Sequence, residues 1–316
     1  MAQRTGRFAA ALLLASAVAV TGAAPALATF PTEPDTLAAA LWFPMELPYP
    51  DEGDSDLWLV SPDGTPLRRL TETPNRDEQY ARWSPSGDRI AYLGGRYETC
   101  EVYTVDPSGT SRQRLTHNRA ADSDVAWSPD GLWLAWIRTL AGTSVDQLWV
   151  MRPDGSDRRR IPVDLPGQTL ATPMWSPDGA SIVLSVWVDE DHNFDLFRVD
   201  ANGPAAERLT DTPRSEVLLD WSPDGQRLLA SRARTPFIYG DPDALITMRP
   251  DGAAAYRILP DAHFLSARYT PDGQSLHLTE PRTGGWTRLA RAELPDGQPR
   301  TILSFQGHVI MSDFSC

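Results

Sequence analysis

Apolar residues come in short runs, each bounded by Pro, Asp, Gly or Ser. A polar turn precedes many of them. Trp83-Ser-Pro-Ser-Gly87, Trp127-Ser-Pro-Asp-Gly131, Trp175-Ser-Pro-Asp-Gly179, Trp221-Ser-Pro-Asp-Gly225 and Tyr269-Thr-Pro-Asp-Gly273 recur at spacings of 44 to 48 residues. The strand-like runs 89–92, 132–136, 182–185, 228–230 and 276–278 follow them. In these turns Pro presets φ, Asp bonds back to the backbone and Gly accepts positive φ. Flanked by strand residues, each tetrapeptide predicts a tight antiparallel hairpin.

A second pattern interleaves with the first: an apolar strand, a Pro-Asp-Gly-like turn, then an Arg-rich strand ending in Leu-Thr. Its copies span 56–71, 101–116, 147–162, 195–210, 244–259 and, more loosely, 286–303. Two hairpins per repeat make four strands, and four strands in about 46 residues make a propeller blade. The expected fold is all-β: a six-bladed propeller of four-stranded antiparallel blades. The first unit has strands at 37–43, 56–61 and 67–71 but lacks a turn before them. The last segment, 305–316, stands alone and carries Phe314 where other repeats carry Trp. The C-terminal strand is therefore expected to complete the first blade, leaving no open edge.

The first residues read differently. Arg4 and Arg7, an apolar run over 9–20 and Ala26-Leu27-Ala28 follow the plan of a secretory signal peptide. Cleavage is expected after Ala28, leaving a short lead, 29–36, and a single propeller domain, 37–316. The product would be extracytoplasmic, secreted or held in the cell envelope, with no membrane span. No Cys follows the apolar run and the two Arg are not adjacent, so neither a lipoprotein anchor nor twin-arginine export is indicated.

The repeated Trp-Ser-Pro-Asp-Gly turn and its following strand resemble the TolB-like or PD40 β-propellers, a WD40-like group of exported bacterial proteins. The resemblance runs from about residue 37 to 314. It implies the fold but not the function, since the group includes envelope-complex partners, peptidase-fused propellers and lyases. TolB itself has an α/β domain before its propeller, for which this chain has no room after the cleavage site. The sequence also lacks Gly-x-Ser-x-Gly, His-Glu-x-x-His and a P-loop.

Charge narrows the partners. The chain has 29 basic and 42 acidic side chains, for a net charge of −13, and every basic one is Arg. Loss of Arg4 and Arg7 makes it −15. That argues against nucleic acid, which needs a basic face. In such a propeller the residue five before each repeat aromatic should ring the channel mouth: Glu78, Asp122, Leu170, Glu216, Phe264 and Val309. Asp77, Asp124, His263 and His308 lie beside this ring. These carboxylates suit a basic segment of a protein or peptide, or a cation. The loop Asp189, Asp191, Asn193, Asp195 alternates oxygen ligands as calcium prefers, although Asp195 shares a repeat position with Asp56 and Glu101. The Trp set 83, 127, 175 and 221 is expected between blades, and Arg on the outermost strands should discourage edge pairing. Cys100 and Cys316, placed at opposite ends of their strands, are expected to stay free.

The expected function is a monomeric, non-catalytic binding or scaffold propeller, read at an acidic mouth. The rival is a propeller lyase or hydrolase with a metal-assisted site at the same mouth, using His263 and His308.

Overall fold

Each repeat turn closes with the same bonds. Gly131, Gly179 and Gly225 all take φ 69°. Their amides donate to the carbonyls of Ser128, Ser176 and Ser222 at 2.8–2.9 Å. The Ser hydroxyl does two jobs. It donates to the turn Asp (Ser176 Oγ to Asp178 Oδ1, 2.6 Å) and accepts the amide five residues on (Arg227 to Ser222 Oγ, 2.8 Å). Ser is thus as much part of the turn as Pro, Asp and Gly.

The computed structural model describes residues 11–15, 37–42, 55–60 and 66–306, the last with short gaps at 75, 97–98, 235–242, 260–263, 265, 271, 283–285 and 295–299. Five consecutive four-stranded antiparallel sheets follow the repeat. The first of them holds β5 (Asp77–Trp83), β6 (Ile90–Gly95), β7 (Glu101–Val105) and β8 (Gln113–Arg114). The next holds β9 (Ala121–Trp127), β10 (Leu134–Thr139), β11 (Asp146–Met151) and β12 (Arg159–Arg160). Then come β13 (Leu170–Trp175), β14 (Ser181–Val188), β15 (Asn193–Asp200) and β16 (Ala206–Arg208). The fourth holds β17 (Ser215–Trp221), β18 (Leu228–Ala233), β19 (Ala244–Met248) and β20 (Tyr256–Ile258). The fifth holds β21 (Ser266–Tyr269), β22 (Ser275–Arg282), β23 (Trp286–Glu293) and β24 (Arg300–Gln306). The described residues contain no helix, so none long and apolar enough to cross a membrane.

A further sheet precedes these five: β1 (Ala11–Ala15), β2 (Leu37–Trp42), β3 (Ser55–Val60) and β4 (Pro66–Arg69). Its innermost strand comes from the apolar N-terminal run, not from the C-terminus. Phe305 and Gln306, the start of the expected closing segment, belong to outer strand β24. Residues 307–316 lie outside the described residues.

The core lies between sheets. Ile137 and Leu148 of one blade pack with Ile182, Leu184 and Val186 of the next. Leu93 and Val102 pack likewise with Leu134 and Trp136. Val183 and Leu196 meet Leu228 and Ile246, and Leu229 and Leu245 meet Leu276 and Leu278. Strand β6 is buried along its whole length, because both of its faces meet a neighbour. Each buried Leu or Ile contributes roughly 1.5–3 kcal/mol, so every blade is held mainly by its neighbours. The repeat Trp residues sit at these seams, half-buried at 83, 127 and 221 and buried at 175. Trp127 also donates its indole N–H to the Arg82 carbonyl at 3.0 Å, tying β9 to β5.

The turns interlock as well. A Cβ added at Gly225 would come 2.9 Å from the Pro177 side chain, and one at Gly179 3.8 Å from that of Pro129. Gly131, Gly179, Gly225 and Gly273 thus each lie against the Pro of the preceding blade's turn.

Cys100 is disulfide-bonded, which corrects the expectation of a free thiol there. That expectation rested on strand ends being too far apart, and it required Cys316 to end a closing inner strand. Cys316, the only other cysteine in the sequence, lies outside the described residues.

Candidate functional site

The carboxylates expected at the channel mouth turn into the blades. Glu78, Asp122 and Glu216 have no exposed surface. Asp122 accepts two bonds from Arg138, at 2.7 and 3.1 Å, and one from the Trp136 indole at 3.0 Å. Arg138 in turn lies over the rings of Trp136 and Trp149. Glu216 accepts from Arg232 and Thr212, each at 2.7 Å. Glu78 accepts from Thr71 at 2.9 Å, from Thr73, and from Arg112 at 3.4 Å. Burial outweighs these bonds and pushes the Glu78 carboxyl up to about 7. Leu170 and Phe264, at the same repeat position, are buried too. Val309, His263 and His308 lie outside the described residues.

A bulge explains the change of face. The pairing of β5 with β6 shifts register between Gln79 and Arg82. The same shift occurs in β9, and in β13 between Ala171 and Met174. One extra residue reverses the alternation of side chains, so counting back five from the Trp lands on the blade interior. The bulge residues Tyr80, Asp124 and Thr172 take left-handed φ of 50–55°. Such values are uncommon for non-Gly residues, and rarer still for a β-branched one.

The outer strands carry a clamp. Arg69, Arg114 and Arg208 each bind an acid on the neighbouring strand: Asp56, Glu101 and Asp195. Two residues on, Thr71, Thr116 and Thr210 accept an amide from that same strand at 2.8–2.9 Å. This is the purpose of the Arg-x-Thr ending. In the fourth-repeat loop, Arg208 also reaches Asp191 at 2.5 Å, so one guanidinium stands between the carboxylates of Asp191 and Asp195. Asn193 donates its amide to the Thr212 carbonyl at 2.8 Å. Asp189 is exposed. Among the described residues no three His, Cys, Asp or Glu converge as a metal site would require.

In four of the five repeat blades the channel is faced instead by residues one and three before the repeat aromatic; in β17 the equivalent Leu218 and Asp220 are buried. Tyr80 and Arg82, Asp124 and Ala126, Thr172 and Met174, and Ser266 and Arg268 are half-buried, alternating with buried neighbours. Adjacent inner strands are linked: the Thr172 amide bonds to the Asp124 carboxylate, and the Tyr269 amide to Asp220 Oδ2 at 2.8 Å. Arg268 reaches Asp220 at 3.5 Å, the Leu219 carbonyl, and Met174 Sδ two blades away at 3.8 Å. Arg82, Arg268, Asp124 and Asp220 act on one another electrostatically. Burial, then repulsion from Arg268, lowers Arg82 to about 10. Burial raises Asp124 to about 6 despite the pull of Arg82. Perturbed groups of opposite sign inside a channel are a functional-site signature. Of Glu78, Asp122, Asp124 and Glu216, Asp124 is the one that is half-buried on the inner strand.

The TolB beta propeller model (PD40) matches residues 78–185, covering the two blades whose inner strands are β5 and β9 and the start of the third. Over those blades the chain is a PD40 propeller. Relatives of this TolB-like propeller include the uncharacterized protein Atu1656 of Agrobacterium fabrum, 31% identical over 182 residues, which are 55% of this chain and 60% of that one. The uncharacterized peptidase YuxL of Bacillus subtilis is 32% identical over 125 residues, 38% of this chain and 18% of that one. The propeller thus spans less than two thirds of either relative. Among solved structures, TolB from Acinetobacter baumannii superposes with a TM-score of 0.65 at 18% identity, covering 80% of this chain and 61% of that one. That similarity shows the shared fold.

Sequence reasoning missed Arg82, Asp220 and Arg268. Their signal was present at the position just before each repeat aromatic. There the blades carry Arg, Ala, Met, Asp and Arg in turn, charged and apolar alike, between an apolar residue and the recurring aromatic. A position that varies inside a regular repeat is released from the blade's own packing.

Proposed function

We propose that the chain is an exported, monomeric, non-catalytic binding propeller whose partner is a protein or peptide that enters the inner-strand channel. The observation that carries this is the channel lining: charged residues replace blade packing there, at positions freed from it. The mature ring has six blades. With the N-terminal segment removed after Ala28, the inner position beside β2 falls to the C-terminal strand. The net charge of the mature chain favours a partner with a basic segment near its channel-binding part. Calcium has no assigned role, because Arg208 already supplies the positive charge between Asp191 and Asp195.

The test is site-specific photocrosslinking in the mature protein. Positions 80 and 172, in the channel, should capture the partner, and position 158, on an exposed outer turn, should not. Capture from 158 alone would overturn the reading.

A second reading, an enzyme of lyase or hydrolase type, draws support from one observation: Asp124, raised to about 6 by burial, lies within the electrostatic reach of Arg82. A base poised near neutrality beside a cation is a usable pair. Turnover of chromogenic peptide or ester substrates that Asp124→Asn abolishes, with the melting temperature unchanged, would move the assignment there.

A further inference from the structure

Arg82 stands apart from the other arginines around it. A guanidinium has five N–H donors. Among the described residues, its hydrogen-bond acceptor is the carbonyl of Ala81 at 3.1 Å, with no carboxylate at ion-pair distance. Arg112, Arg138 and Arg232 each hold a carboxylate. Arg268, whose charge bears on Arg82, is tied to Asp220, and Asp220 also takes the Tyr269 amide. Two guanidinium groups therefore share one interior space: Asp220 holds Arg268, while Asp124 and Asp220 act on Arg82 without forming an ion pair with it. A guanidinium held in an interior with most of its donors unbonded is unfavourable unless an acceptor enters. The left-handed backbone at Tyr80, two residues before Arg82, adds strain at the same point.

We propose that Arg82, with Arg268 behind it, is an oxyanion seat that takes the carboxylate of a ligand entering the channel. This rests on the reading of the channel as the binding site. The planar fork of Arg matches a carboxylate with two parallel bonds. Asp124 and Asp220, which act on the same guanidinium, repel a second negative charge, so the seat prefers a monoanionic carboxylate to a phosphate dianion. Two sources share this chemistry, a peptide C-terminus and a small carboxylic acid.

The test is calorimetric titration of the mature protein with trialanine, trialanine amide, acetate and inorganic phosphate. Trialanine should bind at least ~10-fold more tightly than its amide, and phosphate should bind more weakly than the carboxylates. Acetate binding as tightly as trialanine would assign the seat to small acids, and a clear preference for trialanine to peptide termini; both support it. Arg82→Gln should weaken binding by roughly 10- to 100-fold. Asp124→Asn should tighten it at pH 7, a gain that misfolding cannot produce. Equal binding of acid and amide, unchanged binding by Arg82→Gln, or no binding by any probe would overturn the seat. If crosslinks at positions 80 and 172 persisted in any of those cases, the channel reading would stand without it.

Discussion

Replacing Asp122 by Ala separates a blade-level role from a ligand-binding one. The carboxylate is fully buried and accepts two bonds from Arg138 and one from Trp136. The Arg138 side chain is only 13% exposed, so it cannot turn to water without leaving the rings it covers. Removing one partner of a buried pair costs about 3–5 kcal/mol, mostly from the charge left behind. For a domain of this size that is a fall of roughly 6–20 °C in melting temperature. Asp122→Asn keeps the shape and part of the bonding, so it should cost less, about 1–3 kcal/mol. Calorimetry and urea unfolding of the wild type and both variants would measure this. Partner capture at position 80 should survive in whichever variant stays folded. If Asp122→Ala melted with the wild type and lost the partner, the burial argument would be refuted and the acidic mouth restored.

Four further outcomes are expected. Glu78 titrates near 7 in the folded protein and near 4.5 as an ordinary carboxyl, so its contribution to stability is full at low pH and is lost as pH rises between those values; Glu78→Gln should flatten the pH dependence of unfolding in that window. Cys100 should show no reactive thiol in the native protein, and reduction should cost about 2–5 kcal/mol of stability, read as a lower melting temperature with dithiothreitol. Gly252 has φ 78°, and a Cβ there would meet the Leu209 carbonyl at 2.0 Å; Gly252→Ala should lower the melting temperature by several degrees, at least as much as a typical core change of about 1–3 kcal/mol. Arg208→Met should uncover two carboxylates and create a calcium-dependent rise in melting temperature absent from the wild type; no calcium effect in the variant would show that these oxygens cannot converge on an ion.

The architecture was legible because turn chemistry is local. Pro, Asp and Gly at fixed spacing dictate hairpins whatever surrounds them, and the spacing of Trp83, Trp127, Trp175 and Trp221 counts blades directly. The site was less legible, because it depends on a bulge. Glu78 and Asp122 are conspicuous acids on an inner strand, and unbroken alternation would aim them at the channel. The extra residue at Tyr80 and Asp124 reverses that, and a left-handed Tyr leaves no mark in a single sequence. Arg82 and Arg268 look unremarkable among 29 arginines until the inner strands are brought together. Asp191 and Asp195 are likewise spaced as calcium ligands, but the outer strand brings Arg208 between them as a counter-ion, which ligand spacing alone does not reveal.

The seating of Gly131, Gly179, Gly225 and Gly273 on the preceding Pro has an evolutionary side. The fit between neighbouring turns uses motif residues alone, whereas positions one and three before the aromatic contribute nothing to it. A blade can therefore be duplicated or exchanged without a new joint being devised, since every copy brings both halves of the joint. The inner positions are then free to drift. One scaffold can acquire a new binding preference by changing a handful of channel residues, while the ring that holds them keeps its shape.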